Sequence, residues 1–233
     1  MARRTSQQLV SVITGWKRVA WLSLLQRPVY ITSECPSESH EAISEVIIDE
    51  ARAILQKHDI PIEKEDDIKV TMRQNAHYGC EIPTLLIVSP WSLEKQNAWE
   101  KAVEDMGRVI SDRMNKDHIY VEITSPELVQ PIYFTSSEDP ALNKTWDSVR
   151  EMVYERLQSF YATKDQTSYI DLGMYGVNPD PKANAMTIYI SVSDGSDETL
   201  WLKVITDIKS KLESVGWGHV QVHMEHDAAW PWR

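Results

Sequence analysis

The segment Pro28-Val-Tyr-Ile-Thr-Ser33 returns as Pro131-Ile-Tyr-Phe-Thr-Ser136, 103 residues later. The same separation carries Thr84-Leu-Leu-Ile-Val88 onto Thr187-Ile-Tyr-Ile-Ser191 and Val121-Glu122 onto Met224-Glu225, while Trp99 meets Trp201 at 102. Matched segments in one order at a nearly constant spacing imply two copies of a single supersecondary unit, and any fold for this chain must accommodate both.

Each copy contains short runs of β-branched and aromatic residues separated by stretches of helical period. In the first copy the runs are Val29 to Ser33, Ile68 to Gln74, Thr84 to Ser89 and His118 to Thr124, with helices over Glu38 to His58 and Leu93 to Met114. The second copy has strands at Ile132 to Ser136, Tyr169 to Tyr175, Met186 to Ser193 and His219 to His226. Its helices cover Asn143 to Tyr161 and Glu198 to Val215, the latter stopped by Gly216. The order β-α-β-β-α-β predicts an α+β protein, a tandem duplication of a ferredoxin-like unit. In that arrangement each half is a four-stranded antiparallel sheet with two helices on one face. The halves span residues 28–125 and 131–227, preceded by residues 1–27 and followed by a Trp-rich tail, 228–233.

At 233 residues and 42% hydrophobic content, the chain can furnish two cores of this size. A net charge of −11 opposes phosphate binding, so no nucleic-acid partner is expected. Two cysteines, Cys35 and Cys80, indicate no disulfide framework and suit a reducing compartment. The N-terminal residues are basic, with Arg3, Arg4, Lys17, Arg18 and Arg27 before the first acidic residue, Glu34. Leu9 to Leu25 places apolar residues near helical spacing, interrupted by Lys17 and Arg18, which is too polar to span a bilayer. It reads as an amphipathic helix docked on the first half of a cytoplasmic protein, a mitochondrial transit segment being the alternative.

Strand periodicity assigns faces. In the last strands Ile119, Val121 and Ile123 match Val220, Val222 and Met224 and should meet the helices. The other face then carries Tyr120 and Glu122 in the first copy and His223 and Glu225 in the second. It is extended by Tyr30, Thr32, Leu86 and Val88, and by Tyr133, Thr135, Tyr189 and Ser191. If two such faces meet, as in proteins resembling dimeric α+β barrels, they enclose an interior suited to a small ligand. Glu122, His223 and Glu225 are the acid/base candidates. Tyr30, Tyr120, Tyr133, Tyr189 and Arg73 are the ligand-binding ones. The competing reading is a solvated polar face, or pairing of the glutamates with Lys69 or Arg73.

His223, Glu225, His226 and Asp227 do not complete a zinc site by spacing, so no metal is assigned. The glycines lack nucleotide-binding spacing, so no cofactor is expected. Cys80 and His77 read as ordinary loop residues. Trp99, Trp146 and Trp201 read as core, whereas Trp230 and Trp232 read as a flap over the domain or an anchor for a partner. Pro28 to Ser33, Thr84 to Val88, Trp99, Val121-Glu122, Thr187 to Val192, Trp201 and Met224-Glu225-His226 together resemble an uncharacterised group of filamentous-fungal proteins, over about residues 28 to 227. Some of these carry the region ahead of a trypsin-like domain. The resemblance implies no activity, and no Ser/His/Asp set with a Gly-rich nucleophile segment occurs here. The sequence favours a non-enzymatic interaction or small-ligand-binding module over a cofactor-independent isomerase or lyase.

Overall fold

A computed structural model describes residues 12–25, 29–33, 38–75, 81–113 and 119–227. Cys35, His77, Cys80, Trp230 and Trp232 lie outside them. The chain divides into two compact units, the first ending at Ser125 and the second beginning at Pro126. Among the described residues it is α+β, with two mixed sheets and four α-helices.

The first unit runs β1 (Val12–Gly15), β2 (Arg18–Trp21), β3 (Val29–Ser33), α1 (Glu38–Lys57), β4 (Ile68–Asn75), β5 (Glu81–Val88), α2 (Gln96–Arg113) and β6 (Tyr120–Thr124). Its sheet has the order β1-β2-β6-β5-β4-β3. The second unit runs β7 (Tyr133–Ser136), α3 (Pro140–Gln158), β8 (Thr167–Gly176), β9 (Ala185–Val192), α4 (Trp201–Ser214) and β10 (Gln221–His226), in the sheet order β10-β9-β8-β7. Both units therefore contain β-α-β-β-α-β, but neither sheet is the antiparallel one expected. The strands flanking the second helix, β5 with β6 and β9 with β10, are adjacent and parallel. The strands flanking the first helix, β3 with β4 and β7 with β8, are adjacent as well but antiparallel, so only the second helix of each unit makes a parallel crossover.

The N-terminal segment is a correction of another kind. Over the described part of Leu9 to Leu25 the chain forms a hairpin, in which Val12 pairs with Trp21 and Gly15 with Arg18, turning through Trp16 and Lys17. Lys17 takes a left-handed φ of 56°. The β-branched Val12, Ile13 and Thr14 before Gly15, and the alternation of Arg18, Val19, Ala20 and Trp21, fit a two-residue hairpin better than a helix. Strand β2 pairs antiparallel with β6 and sends Val19 and Trp21 into the core of the first unit. Opposite Trp21, a Cβ at Gly107 of α2 would lie 2.8 Å from the indole. A glycine mid-helix is unfavourable by about 1 kcal/mol, and the close approach of this indole is what requires it.

Each core lies between the helices and one sheet face. In the first unit Ile47, Ala51 and Leu55 of α1, with Trp99, Val103, Met106 and Ile110 of α2, meet Ile68, Val70, Leu85, Ile87, Val121 and Ile123. Trp201 is buried in the second unit as Trp99 is in the first, whereas Trp146 is half-buried and stacks on Trp217. Asp139 caps α3 by accepting from the Ala141 and Leu142 amides, with Pro140 at the first helical position. The predicted glycine stop is present: Gly216, at φ 83°, ends α4 and lets the Trp217 amide reach the Leu212 carbonyl at 2.8 Å. In both units a carboxylate on the second helix ties it to the first. Lys57 Nζ and His58 Nε2 reach Asp105 Oδ2 at 2.8 and 2.9 Å, and Arg156 donates twice to Asp207, at 2.6 and 2.9 Å.

Candidate functional site

Register fixes which residues of the two units correspond. Thr84 pairs with Thr71 on one side and Tyr120 on the other; Thr187 pairs with Gly173 and Gln221. Positions 84 and 187 are 103 apart, 71 and 173 are 102 apart, and 120 and 221 are 101 apart. Thr84 and Thr187 also share a local bond, each hydroxyl donating to the carbonyl two residues earlier, at 3.1 and 2.9 Å. It follows that Glu122 corresponds to His223 and not to Glu225, whose counterpart is Thr124. Matching Glu122 with Glu225 is a slip of two residues, which leaves every side chain on its proper face because the strand period is two.

On the face away from the core, the first unit holds a buried ion cluster. Glu122 Oε2 lies 2.8 Å from Arg73 Nη1 of β4 and 3.7 Å from Arg18 Nη1 of β2, all three side chains no more than 4% exposed. Strands β4 and β6 are separated by β5, hence by roughly 10 Å, and only a long side chain bridges that gap. The corresponding pair in the second unit is Tyr175 and His223, whose Oη and Nε2 are 3.3 Å apart. An ionic bridge in one unit stands where a phenol–imidazole bridge stands in the other. Of the sequence candidates, Arg73 and Glu122 are thus placed together as a buried pair, with Tyr120 half-buried on the same strand face as Glu122.

The phenol–imidazole bridge belongs to a larger network. Glu225 accepts from Tyr189 Oη at 2.5 Å and from Tyr175 Oη at 3.4 Å, and His223 Nε2 lies 3.4 Å from the same carboxylate. The rings of Tyr175 and Tyr189 are 5.3 Å apart, and those of Tyr175 and His223 4.7 Å apart. Above this layer opens a cavity of about 390 Å³ lined by Phe134, Tyr169, Asp171, Tyr175, Tyr189, Ser191 and Asp227. All seven belong to the second unit. The Tyr169 hydroxyl donates to Asp171 Oδ2 at 2.9 Å, while Asp171 Oδ1 accepts from the Leu172 amide at 2.9 Å. Burial, and then the bond to Asp171, raises the Tyr169 pKa above that of a free phenol, so its ring is uncharged at neutral pH. Ser191 is 3% exposed and its hydroxyl has no hydrogen-bond partner among the described residues. An unpaired buried hydroxyl costs about 1–3 kcal/mol unless water or a ligand satisfies it.

Tyr189 lines the cavity, and His223 and Glu225 stand behind its wall. Tyr133 does not line it: Phe134 pairs with Tyr175 and takes the cavity face, which turns Tyr133 to the other side. Glycine at 173 permits this, since a Cβ there would come within 2.5 Å of the Phe134 ring. In the first unit the backbone of Ile31, not of Tyr30, pairs with Arg73, and Tyr30 pairs with Gln74. The expected face assignment is therefore one residue out on β7. The residues that sequence reasoning missed, Tyr169, Asp171 and Tyr175, alternate along β8 with Gly173, a period-two signal present in Tyr-Ile-Asp-Leu-Gly-Met-Tyr.

No family model, curated protein or solved structure matches this chain.

Proposed function

We propose that this protein is a non-enzymatic small-ligand-binding module and that its second unit holds the ligand. The observation that carries this reading is the 390 Å³ aromatic cavity, whose wall holds the buried Ser191 hydroxyl without a hydrogen-bond partner among the described residues. Ligand sites are concave, mostly apolar and furnished with a few polar groups, and they commonly exceed 300 Å³. In this reading Glu225 and His223 orient the Tyr189 and Tyr175 phenols and do not touch the ligand. In the first unit the equivalent position is closed by Arg73 and Glu122. The two units descend from one duplicated β-α-β-β-α-β element, which matched separations of 101 to 103 residues support better than the split β-α-β sheet does. The chain belongs with the filamentous-fungal group it resembles and works in the cytoplasm.

A screen of small aromatic and aliphatic fragments by amide chemical-shift mapping tests the site. Shifts centred on Tyr169, Tyr189 and Ser191 are expected. Fragments that bind only elsewhere, or none that bind, defeat the proposal. The isomerase or lyase alternative rests on the proximity of Glu225 and His223 behind the wall, and it requires turnover that Glu225→Gln abolishes.

A further inference from the structure

The geometry points to a small quaternary ammonium compound bearing one hydrogen-bonding oxygen as the ligand of this cavity, an inference that rests on the binding reading above. Four of the seven lining residues are aromatic, two are carboxylates, and no lysine or arginine lines the cavity among the described residues. Anions are disfavoured by Asp171 and Asp227, and a neutral ligand leaves their charge unused. A cation gains from both the carboxylates and the negative faces of the aromatic rings. The rings of Tyr169 and Tyr189, with centroids 6.5 Å apart and planes inclined at 59°, form a corner in which one cationic head lies within about 6 Å of both.

The acceptors decide which cation. A primary ammonium carries three donors and needs three acceptors. Asp171 contributes charge, but both its oxygens are already engaged, by the Tyr169 hydroxyl and the Leu172 amide. At the Tyr169–Tyr189 corner the head therefore meets ring faces and an already engaged carboxylate, a surface that favours a fully methylated nitrogen, while Asp227 adds charge to the same cavity. Ser191, on β9 opposite Tyr169 and Glu225 in register, is the one lining hydroxyl without a partner among the described residues. It matches an oxygen on the ligand, such as a hydroxyl two carbons from the nitrogen.

Choline and its neutral isostere 3,3-dimethylbutan-1-ol, titrated calorimetrically into the full chain, test this. Choline is expected to bind at least about tenfold more tightly, a ratio in the range of cation–aromatic attraction. Tyr169→Ala and Asp171→Asn should each weaken choline about fivefold or more. Tyr169 is 54% exposed, so its truncation leaves the core intact, which a thermal melt verifies. Equal binding of choline and the isostere, or binding of phenol or indole without choline, overturns the cationic ligand and leaves the binding reading standing. Silence of choline, isostere and aromatic fragments alike overturns both.

Discussion

The two units solve the same topological problem with different chemistry at one matched position. Where β4, β5 and β6 place Arg73 against Glu122, β8, β9 and β10 place Tyr175 against His223. The ionic version is closed: Arg18 joins from the added β2 strand, and all three side chains are buried. The phenolic version passes its hydrogen bonds on to Glu225 and Tyr189, and so to a cavity. Paired charges hold one sheet face together at the expense of any room for a guest, whereas aromatic groups of similar reach leave a wall that a ligand can use. Topology sets where the bridge stands, and residue type sets whether it is structural.

The sharpest test of equivalence is the buried tryptophan of each second helix. Trp99→Ala and Trp201→Ala should each cost about 3–5 kcal/mol in urea unfolding, as for other large buried aromatics. The second should be the costlier by about 1 kcal/mol, because Trp201 Nε1 donates to Ser196 Oγ at 2.9 Å while Trp99 Nε1 has no partner among the described residues. An unchanged midpoint in Trp201→Ala breaks the matched cores.

The glutamates separate the units most clearly. Glu122→Gln strips the buried Arg18 and Arg73 of their counter-charge and should destabilise by about 3–5 kcal/mol. Glu225→Gln removes a partner of neutral phenols from a partly exposed side chain and should cost about 1 kcal/mol, with a larger effect on ligand affinity than on folding. Equal costs for the two remove the distinction between a structural and a functional face.

The smallest effect lies between the helices. Hydrogen bonds from Lys57 and then His58 hold the Asp105 carboxyl below the ordinary carboxylate range. Its contribution is fully present above the unfolded pKa of about 3.9 and fades as the pH falls through the lower folded value. Lys57 is well exposed, so Asp105→Asn should cost about 0.2–1 kcal/mol at neutral pH and progressively less as the pH falls through the folded value. A deficit that persists at pH 2 would place the loss in packing and not in charge.

Much of this was legible in the residues. All eight strands and four helices of the two β-α-β-β-α-β elements appear close to their expected places, because β-branched runs and helical periods are local signals. Strand order is not local. The choice between antiparallel insertion of the last strand and its parallel placement beside β5 or β9 depends on packing that no short segment encodes. The hairpin at Val12–Trp21 was misread because its apolar residues satisfy helical spacing while Gly15 and the β-branched residues argue for a turn between strands. Glu225 and Tyr189 could be proposed from alternation alone, whereas their hydrogen bond, and the place of Tyr175 between them, required the register.

That register leaves one asymmetry with kinetic meaning. In the first unit β6 is an interior strand, held by β5 and β2, while among the described residues β10 ends its sheet and pairs only with β9. The strand that carries His223 and Glu225 is thus anchored along one side, and half of its amides point away from any strand partner among the described residues. Those protons should exchange with deuterium by local fraying of the sheet margin, well before the amides of β6, whose release waits for global unfolding. The back wall of the cavity is then one margin of the sheet, and a bound guest would register there as slowed exchange.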